Sequence, residues 1–270
     1  MALLAKIDYC LFDVMNECED AVSVVTPTFQ EQFQPSYTQE FNQAGILVLE
    51  QFFNGYLLEE MVQEANALAN QAFFETVIGN AYLKPVDSSL PADHALNTTE
   101  STTVGVVAYD QLPADSVLKA IYLNKGFHSF IEKILNKGPL YRYDCELGAI
   151  NIAVMRPGDY LRWHFDQSDF VVSIPLQLAD SGGIYEYIRN LKNETDPNYE
   201  AVRQAVKGES SQVARLDTPP GSLIFFEGRH TLHRVTPIEG EQVRLVALLG
   251  YADRPGVRSD PYLRRIRYGR

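Results

Sequence analysis

Arg162-Trp163-His164-Phe165-Asp166 is the stretch on which the reading of this chain turns. On a β-strand residues i and i+2 share a face, so His164 and Asp166 address one point, whereas on a helix they diverge. A second histidine, His233, sits in Gly228-Arg-His-Thr-Leu-His-Arg-Val-Thr-Pro237, after the turn Pro219-Pro-Gly221 and a strongly apolar run. Two imidazoles and one carboxylate from different strands form the facial triad used for non-heme Fe(II), with coordination positions left open. Arg244 lies eleven residues beyond His233 in the otherwise apolar Val243–Tyr251 run. An arginine buried there is costly without an anion, so it is a candidate to clamp a carboxylate. The turn Pro237–Gly240 is expected to fold the Arg244 strand back beside the His233 strand.

Outward from this centre the texture is of short β-runs bounded by Pro and Gly: 149–155, 170–178, 222–226, 232–236 and 243–251. That pattern predicts a barrel or double-sheet jelly roll. Upstream, Gly45–Glu50 is a short β-type run. Asn54 is placed to cap a helix with Leu58, Val62, Ala65, Leu68 and Ala72 at helical spacing. Residues 79–103 look like a loop, and two further helices are expected at about 114–123 and 126–136.

The 270 residues suffice for a substantial core. The 23 basic and 35 acidic side chains leave a net charge of −12, which disfavours a nucleic-acid partner attracted by a general positive field. Charge is uneven: residues 1–60 hold ten acids and one base, while residues 254–270 hold six arginines and one acid. These blocks either pair within the fold, as packing of the tail against the acidic N-terminal half would do, or serve as interaction tails. Cys10, Cys18 and Cys145 are too scattered for a disulfide framework or a zinc site. No run approaches a membrane span, and the N-terminal apolar stretch is too short for a signal peptide. The expectation is a soluble cytoplasmic protein, with no membrane partner and no indication of oligomeric state.

His164-x-Asp166, His233 and Arg244, in the frame Gly221-Ser-Leu-Ile-Phe-Phe226 to His233-Arg-Val-Thr-Pro237, resemble the iron(II)/2-oxoglutarate-dependent dioxygenases. The opening Phe41–Glu50 is similar to the phytanoyl-type entry into that superfamily. Val107–Asp110, Trp163–Gln167, Ser173–Gln177, Gly182–Tyr187, Gly228-Arg229 and Arg267–Arg270 resemble a bacterial branch of amino-acid hydroxylases and related radical halogenases.

The resemblance implies a mainly β protein with N-terminal helices, built as a double-stranded β-helix (a cupin-like jelly roll). It divides the chain into an acidic arm (1–40) and one dioxygenase domain (41–270). Within that domain it places helical support at 41–140, the β core at 141–253 with a lid-like insertion at 187–212, and the arginine-rich tail at 254–270. It implies His164, Asp166 and His233 as iron ligands and Arg244 on the far carboxylate of 2-oxoglutarate. Dioxygen is the further co-substrate, with ascorbate as reductant in vitro. The reaction implied is hydroxylation of a C–H bond in a small nitrogen-containing molecule, an amino acid or an alkaloid intermediate such as a toxin precursor, with release of succinate and CO2. The alternatives are desaturation, cyclisation or halogenation by the same chemistry, or a metal-binding jelly roll without turnover. Halogenases of the branch carry a small residue where this chain has Asp166, which favours hydroxylation.

Relatives often place a tyrosine nine residues before the first histidine, where this chain has Met155. Asn151 or Gln177 either takes over part of that co-substrate contact or is an ordinary strand residue. Arg162 either lines the substrate entrance or is solvated. Asp144 and Glu146 either bind a cationic substrate or are surface acids, and Tyr185 is a further substrate candidate. His230, His94 and His128 read as structural or surface residues, Trp163 as packing that faces away from the metal, and Arg229 as a tie to a carboxylate.

Overall fold

The computed structural model describes residues 29, 31–168, 170–259 and 261–270, apart from the side chain of Tyr262. Most of the acidic arm, together with Cys10 and Cys18, lies outside the described residues. In chain order the elements are α1 (Pro35–Ala44), β1 (Ile46–Leu49), α2 (Gly55–Leu68), β2 (Thr76–Gly79), β3 (Glu100–Thr103) and β4 (Gly105–Val107). Next come α3 (Val117–Leu123), α4 (Lys125–Leu135), β5 (Tyr141–Arg142), β6 (Ile150–Met155), β7 (Leu161–His164), β8 (Val171–Gln177), β9 (Ser181–Gly182) and β10 (Tyr185–Ile188). The chain continues through α5 (Tyr199–Val206), β11 (Ala214–Leu216), β12 (Leu223–Phe226), β13 (Leu232–Val235), β14 (Ile238–Glu239), β15 (Arg244–Leu249), β16 (Tyr251–Ala252) and α6 (Pro261–Tyr268).

Two antiparallel sheets dominate. One runs β1-β12-β8-β15-β6-β4 and the other β11-β10-β13-β7. Alternation along the six-stranded sheet divides its side chains cleanly. Ile150, Ile152 and Val154 of β6, Val172, Ile174 and Leu176 of β8, and Leu245, Ala247 and Leu249 of β15 belong to the main apolar core. There they meet Phe41 of α1, Met61 and Ala65 of α2, Leu118 and Ile121 of α3, and Phe127 and Ile131 of α4. The intervening residues Asn151, Ala153, Met155, Ser173, Pro175, Arg244, Val246 and Leu248 line a cavity on the other face. The four N-terminal helices therefore cover one face of the larger sheet and leave the opposite face free for chemistry.

Helix boundaries follow capping chemistry. Ser116 accepts from Lys119 N–H at 3.0 Å to start α3, and Asn124 accepts from Phe127 N–H at 2.9 Å to start α4, so one asparagine divides the two helices. Gly45 ends α1 at φ 65°, the left-handed conformation that glycine adopts without penalty. Asn54 precedes α2 as expected, but its side chain donates to Gln51 O instead of capping.

Three expectations are corrected. Residues 79–103 are not loop alone, because β2 and β3 pair across them from Thr76↔Thr103 to Gly79↔Glu100. Their polar sequence concealed a half-buried strand pair. The Arg244 strand does not return beside the His233 strand: β15 crosses into the six-stranded sheet between β8 and β6, while β14 in the connecting turn pairs with β9. The 187–212 insertion does not close the cavity. Val202 and Ala205 of α5 pack with Trp163, Ile188 and Leu232 on the outer face of the smaller sheet, because the helix has an apolar stripe to bury.

Phe225 is fully buried on β12 with its ring 6.2 Å from that of Phe41. Phe225→Ala is expected to cost about 3–5 kcal/mol by transfer and cavity terms, measured as the change in urea unfolding free energy.

Candidate metal centre

The two histidines are brought together by strand pairing: His233 of β13 lies directly opposite His164 of β7, with ring centroids 4.1 Å apart. His164 Nδ1 is 2.9 Å from Arg162 O, and His233 Nδ1 is 3.0 Å from Thr231 O. A carbonyl can only accept, so each Nδ1 carries the hydrogen and each Nε2 presents a lone pair. The same device, a carbonyl two residues upstream, thus fixes tautomer and ring orientation twice.

Asp166 lies beyond the end of β7 rather than on the strand. Its N–H donates to Gly228 O at 3.0 Å, and Arg229 Nη2 donates to Gln167 O at 2.7 Å, pinning the loop. Each carboxylate oxygen faces one imidazole: Oδ1 is 3.5 Å from His164 Nε2 and Oδ2 is 3.5 Å from His233 Nε2. One ligand atom from each of the three residues lies within 4.8 Å of the others, a spacing that a single cation could bridge. Gly228 makes room for this arrangement, since a Cβ there would overlap the Asp166 carboxylate. Nothing in the local sequence marks Gly228 for this role, because a close backbone approach leaves no pattern in a single chain.

Burial raises the Asp166 carboxyl, but the His233 and His164 rings beside it bring it down to about 2. Burial, reinforced by His164 and only partly opposed by Asp166, pushes His233 down to about 4. At neutral pH the centre offers an ionised carboxylate and, at His233, an unprotonated ring.

Arg244 faces the same cavity from the opposite sheet and is 6% exposed. Nη1 reaches Met155 Sδ at 3.8 Å, its cross-strand neighbour, while Nε has no hydrogen-bond partner among the described residues. Burial lowers this guanidinium to about 10, against the pull of Tyr185, so it stays charged at neutral pH. A buried, charged and unpaired arginine is a receptor for an anion. Gly183 allows its approach, because a Cβ there would stand 3.0 Å from Arg244 Cδ. Tyr185 lines the cavity stacked on His233, with centroids 5.6 Å apart, and Phe226 meets the same imidazole edge to face. The cavity is about 460 Å³, room for a small molecule beside a co-substrate.

The other expected residues divide. Arg162 is buried and lines the cavity, with its guanidinium against Gly79, so it is not solvated. Asn151 lines it too, but its amide donates to Leu147 O and Ile150 O and its Oδ1 accepts from the Tyr268 hydroxyl. Gln177 donates to Val243 O and accepts from Asn66, outside the cavity wall. Both amides are bonded to protein groups, and of the two only Asn151 lines the cavity. Asp144 and Glu146 are not brought to the centre; they pair with Arg258 and Arg264 at 3.0 and 2.7 Å. His230 pairs with Glu194, away from the triad.

Compared with known proteins, the chain finds no curated sequence that matches. Solved structures do match in fold. They include the 2-oxoglutarate-dependent carbocyclase SnoK from nogalamycin biosynthesis (14% identity, 89% of this chain and 93% of that one, TM-score 0.59). HygX from Streptomyces hygroscopicus, solved with nickel, 2-oxoglutarate and hygromycin B, matches at 12% identity over 82% and 87% of the chains, TM-score 0.55. A Trichoplax adhaerens prolyl hydroxylase matches at 16% over 85% and 94%, TM-score 0.52. The family match and the fold are those of the Fe(II)/2-oxoglutarate-dependent oxygenases, enzymes whose cofactor is iron and whose co-substrates are 2-oxoglutarate and dioxygen, and the His164–Asp166–His233 cluster has the spacing to hold such an ion. Within that class the chain belongs to the halogenase D family, whose profile matches residues 29–261.

Two outcomes follow from this geometry. Gly228→Ala is expected to displace the Asp166 carboxylate and weaken metal binding about 10- to 100-fold by titration, with near-native circular dichroism. The metal-free protein is expected to lose stability as pH falls from about 6.5 to 4. In that window the unfolded chain takes up a proton at His233 that the folded chain refuses, a cost on the order of 3 kcal/mol. Thermal midpoints of His233→Gln against pH should be flatter across that window than those of the parent.

Proposed function

We propose that this protein hydroxylates an unactivated C–H bond of a small, soluble, nitrogen-containing molecule, such as an amino acid or a specialised-metabolite intermediate. His164, Asp166 and His233 are read as the three iron ligands and Arg244 as the holder of the distal carboxylate of 2-oxoglutarate. The observation that carries this reading is the convergence of two carbonyl-locked imidazoles and a carboxylate opposite a buried arginine with no anion of its own. The bound iron, with 2-oxoglutarate and dioxygen, supplies oxidative decarboxylation to succinate and CO2 coupled to oxidation of the substrate.

The chain's own residues do the rest. The Nδ1 hydrogen bonds orient both rings before any ligand arrives, so little reorganisation accompanies loading. Arg244 fixes the co-substrate's direction by meeting a planar carboxylate with a planar fork. Tyr185, Phe226, Val246 and Leu248 give the cavity apolar wall that keeps water from the reacting region. Burial and the Asp166 carboxylate hold the Tyr185 phenol well above its usual range, so it stays neutral and adds no charge there.

Halogenation is the second reading, favoured by the family match. Site counting weighs against it. With His164, Asp166 and His233 all as ligands beside a chelating keto acid, a six-coordinate iron would keep room for dioxygen and none for a halide, so Asp166 would stand where a halide would bind.

The two sheets fit the halves of a double-stranded β-helix, with residues 41–270 as one catalytic domain. A small dissolved substrate and a cytoplasmic location accord with this reading, and the net charge of −12 speaks against nucleic acid. No helix among the described residues is long and apolar enough to cross a membrane.

Anaerobic addition of 2-oxoglutarate to the Fe(II)-loaded protein is expected to produce a weak visible charge-transfer band. Arg244→Ala should raise the 2-oxoglutarate concentration needed for that band by at least about tenfold. Its absence in the parent protein would sink the assignment. Incubation with candidate amino acids and alkaloids, Fe(II), ascorbate and 2-oxoglutarate should yield a product heavier by one oxygen. Asp166→Gly should abolish that product, and full activity in this variant would refute the triad.

A further inference from the structure

One wall of the cavity belongs to neither large sheet. Val77 of β2, Thr102 of β3 and Leu83 in the segment between them line the same space as the triad. Leu83 is set apart by its backbone. Its φ is 55°, the left-handed region that a branched side chain rarely enters. Of the five non-glycine residues with positive φ among the described ones, three are asparagines, which tolerate that region, and Leu83 alone is apolar.

A rigid turn imposes this conformation. Asn80 is 1% exposed and accepts from the N–H groups of Tyr82 and Lys84 at 3.1 and 3.3 Å. Its amide donates to Lys84 O and Leu96 O at 2.8 and 2.7 Å, and Leu83 N–H closes the turn on Asn80 O at 3.2 Å. Tyr82 fastens the other side. Its hydroxyl donates to Pro197 O at 2.6 Å, and its ring centroid lies 5.4 Å from that of Phe165 and 5.1 Å from that of Tyr199. The same turn reaches the metal centre, because Ala81 O accepts at 2.9 Å from the N–H of Phe165, the residue between His164 and Asp166.

Packing gives no reason for a leucine here. Ala81 and Tyr82 belong to the apolar cluster beneath α5, whereas Leu83 joins none of the apolar clusters among the described residues. Glycine adopts this φ freely, so for the turn alone leucine is the poorer residue, and the space its side chain lines is the cavity. Strain retained at such a position is a mark of function.

We propose that Leu83 is a specificity-determining residue, an apolar stop against which an aliphatic part of the substrate packs beside Asp166. The inference rests on the reading of this cavity as the active site. A leucine side chain offers contact and excludes water but makes no hydrogen bond. It therefore sorts substrates by the length and branching of their carbon skeleton rather than by their polar groups. Braced by Asn80 on one side and Tyr82 on the other, the stop does not yield to a longer chain.

The probes are L-2-aminobutyrate, L-norvaline, L-norleucine, L-valine and L-leucine, which differ only in aliphatic length and branching. Binding is read as the rise in thermal midpoint of the anaerobic Fe(II)- and 2-oxoglutarate-loaded protein with probe concentration. Leu83→Gly and Leu83→Ala should each change the affinity of at least one probe about tenfold, in favour of the longer or more branched members, as a methylene or two in an apolar pocket does. Leu83→Phe should move the order the other way. Val86→Gly, in the same segment but 62% exposed and outside the cavity wall, should leave the order as it is. Without probe, Leu83→Gly should melt within about 3 °C of the parent or above it, because no core contact is lost and the left-handed φ is relieved. One order of affinities shared by the parent, Leu83→Gly and Leu83→Ala, including no binding by any of them, would overturn the proposal. A larger fall in the Leu83→Gly midpoint would do so too, since it would make the leucine structural. The visible band on adding 2-oxoglutarate keeps the two questions apart. A band with an unchanged order ends this inference alone, and no band ends the reading on which it rests.

Discussion

A β-strand turns successive side chains to opposite faces, and both sheets use this alternation to keep apart two environments that cannot mix. Along β6, β8 and β15 every second residue is aliphatic and packs under the helices, while the residues between them carry an amide, a hydroxyl, a thioether and a guanidinium into the cavity. On the smaller sheet the same rule sends Trp163, Ile188 and Leu232 outward to α5 and leaves His164 and His233 inside. A slip of one residue in any of these strands would bury the polar set in the core and empty the site. The fold and the chemistry are therefore specified by the same pattern.

That is why the centre was legible in the sequence. His-x-Asp at strand spacing, a downstream histidine on another strand and an arginine in an apolar run each carry a chemical demand that one chain can display. What could not be read depends on partners distant in sequence. The crossing of β15 into the other sheet is set by the mate it finds, β8 and β6, not by its own composition. Asn151 and Gln177 have the right residue type, but Tyr268, Leu147, Val243 and Asn66 already occupy them. Gly228 and Gly183 matter for the atoms they lack, which no local pattern records.

The charge asymmetry of the sequence resolves, at its C-terminal end, as pairing within the fold. Arg258, Arg264 and Arg270 meet Asp144, Glu146 and Asp110, acids from the middle of the chain. These pairs are largely exposed, so each adds little to stability, and their value lies in holding one helix at a fixed angle over the cavity.

The placement of Arg244 on one sheet and of the triad on and beside the other has a further consequence. Stacked sheets are held at their spacing by the side chains between and behind them, about 10 Å apart. The distance from the two histidines to Arg244 is thus a dimension of the sandwich rather than of any loop. The two sheets work as the jaws of a calliper, and the packing of distant aliphatic residues sets the gap. On the proposed reading, selection for a co-substrate of one chain length over its shorter or longer homologue becomes a property of the whole core, open to tuning by substitutions that touch neither the triad nor Arg244.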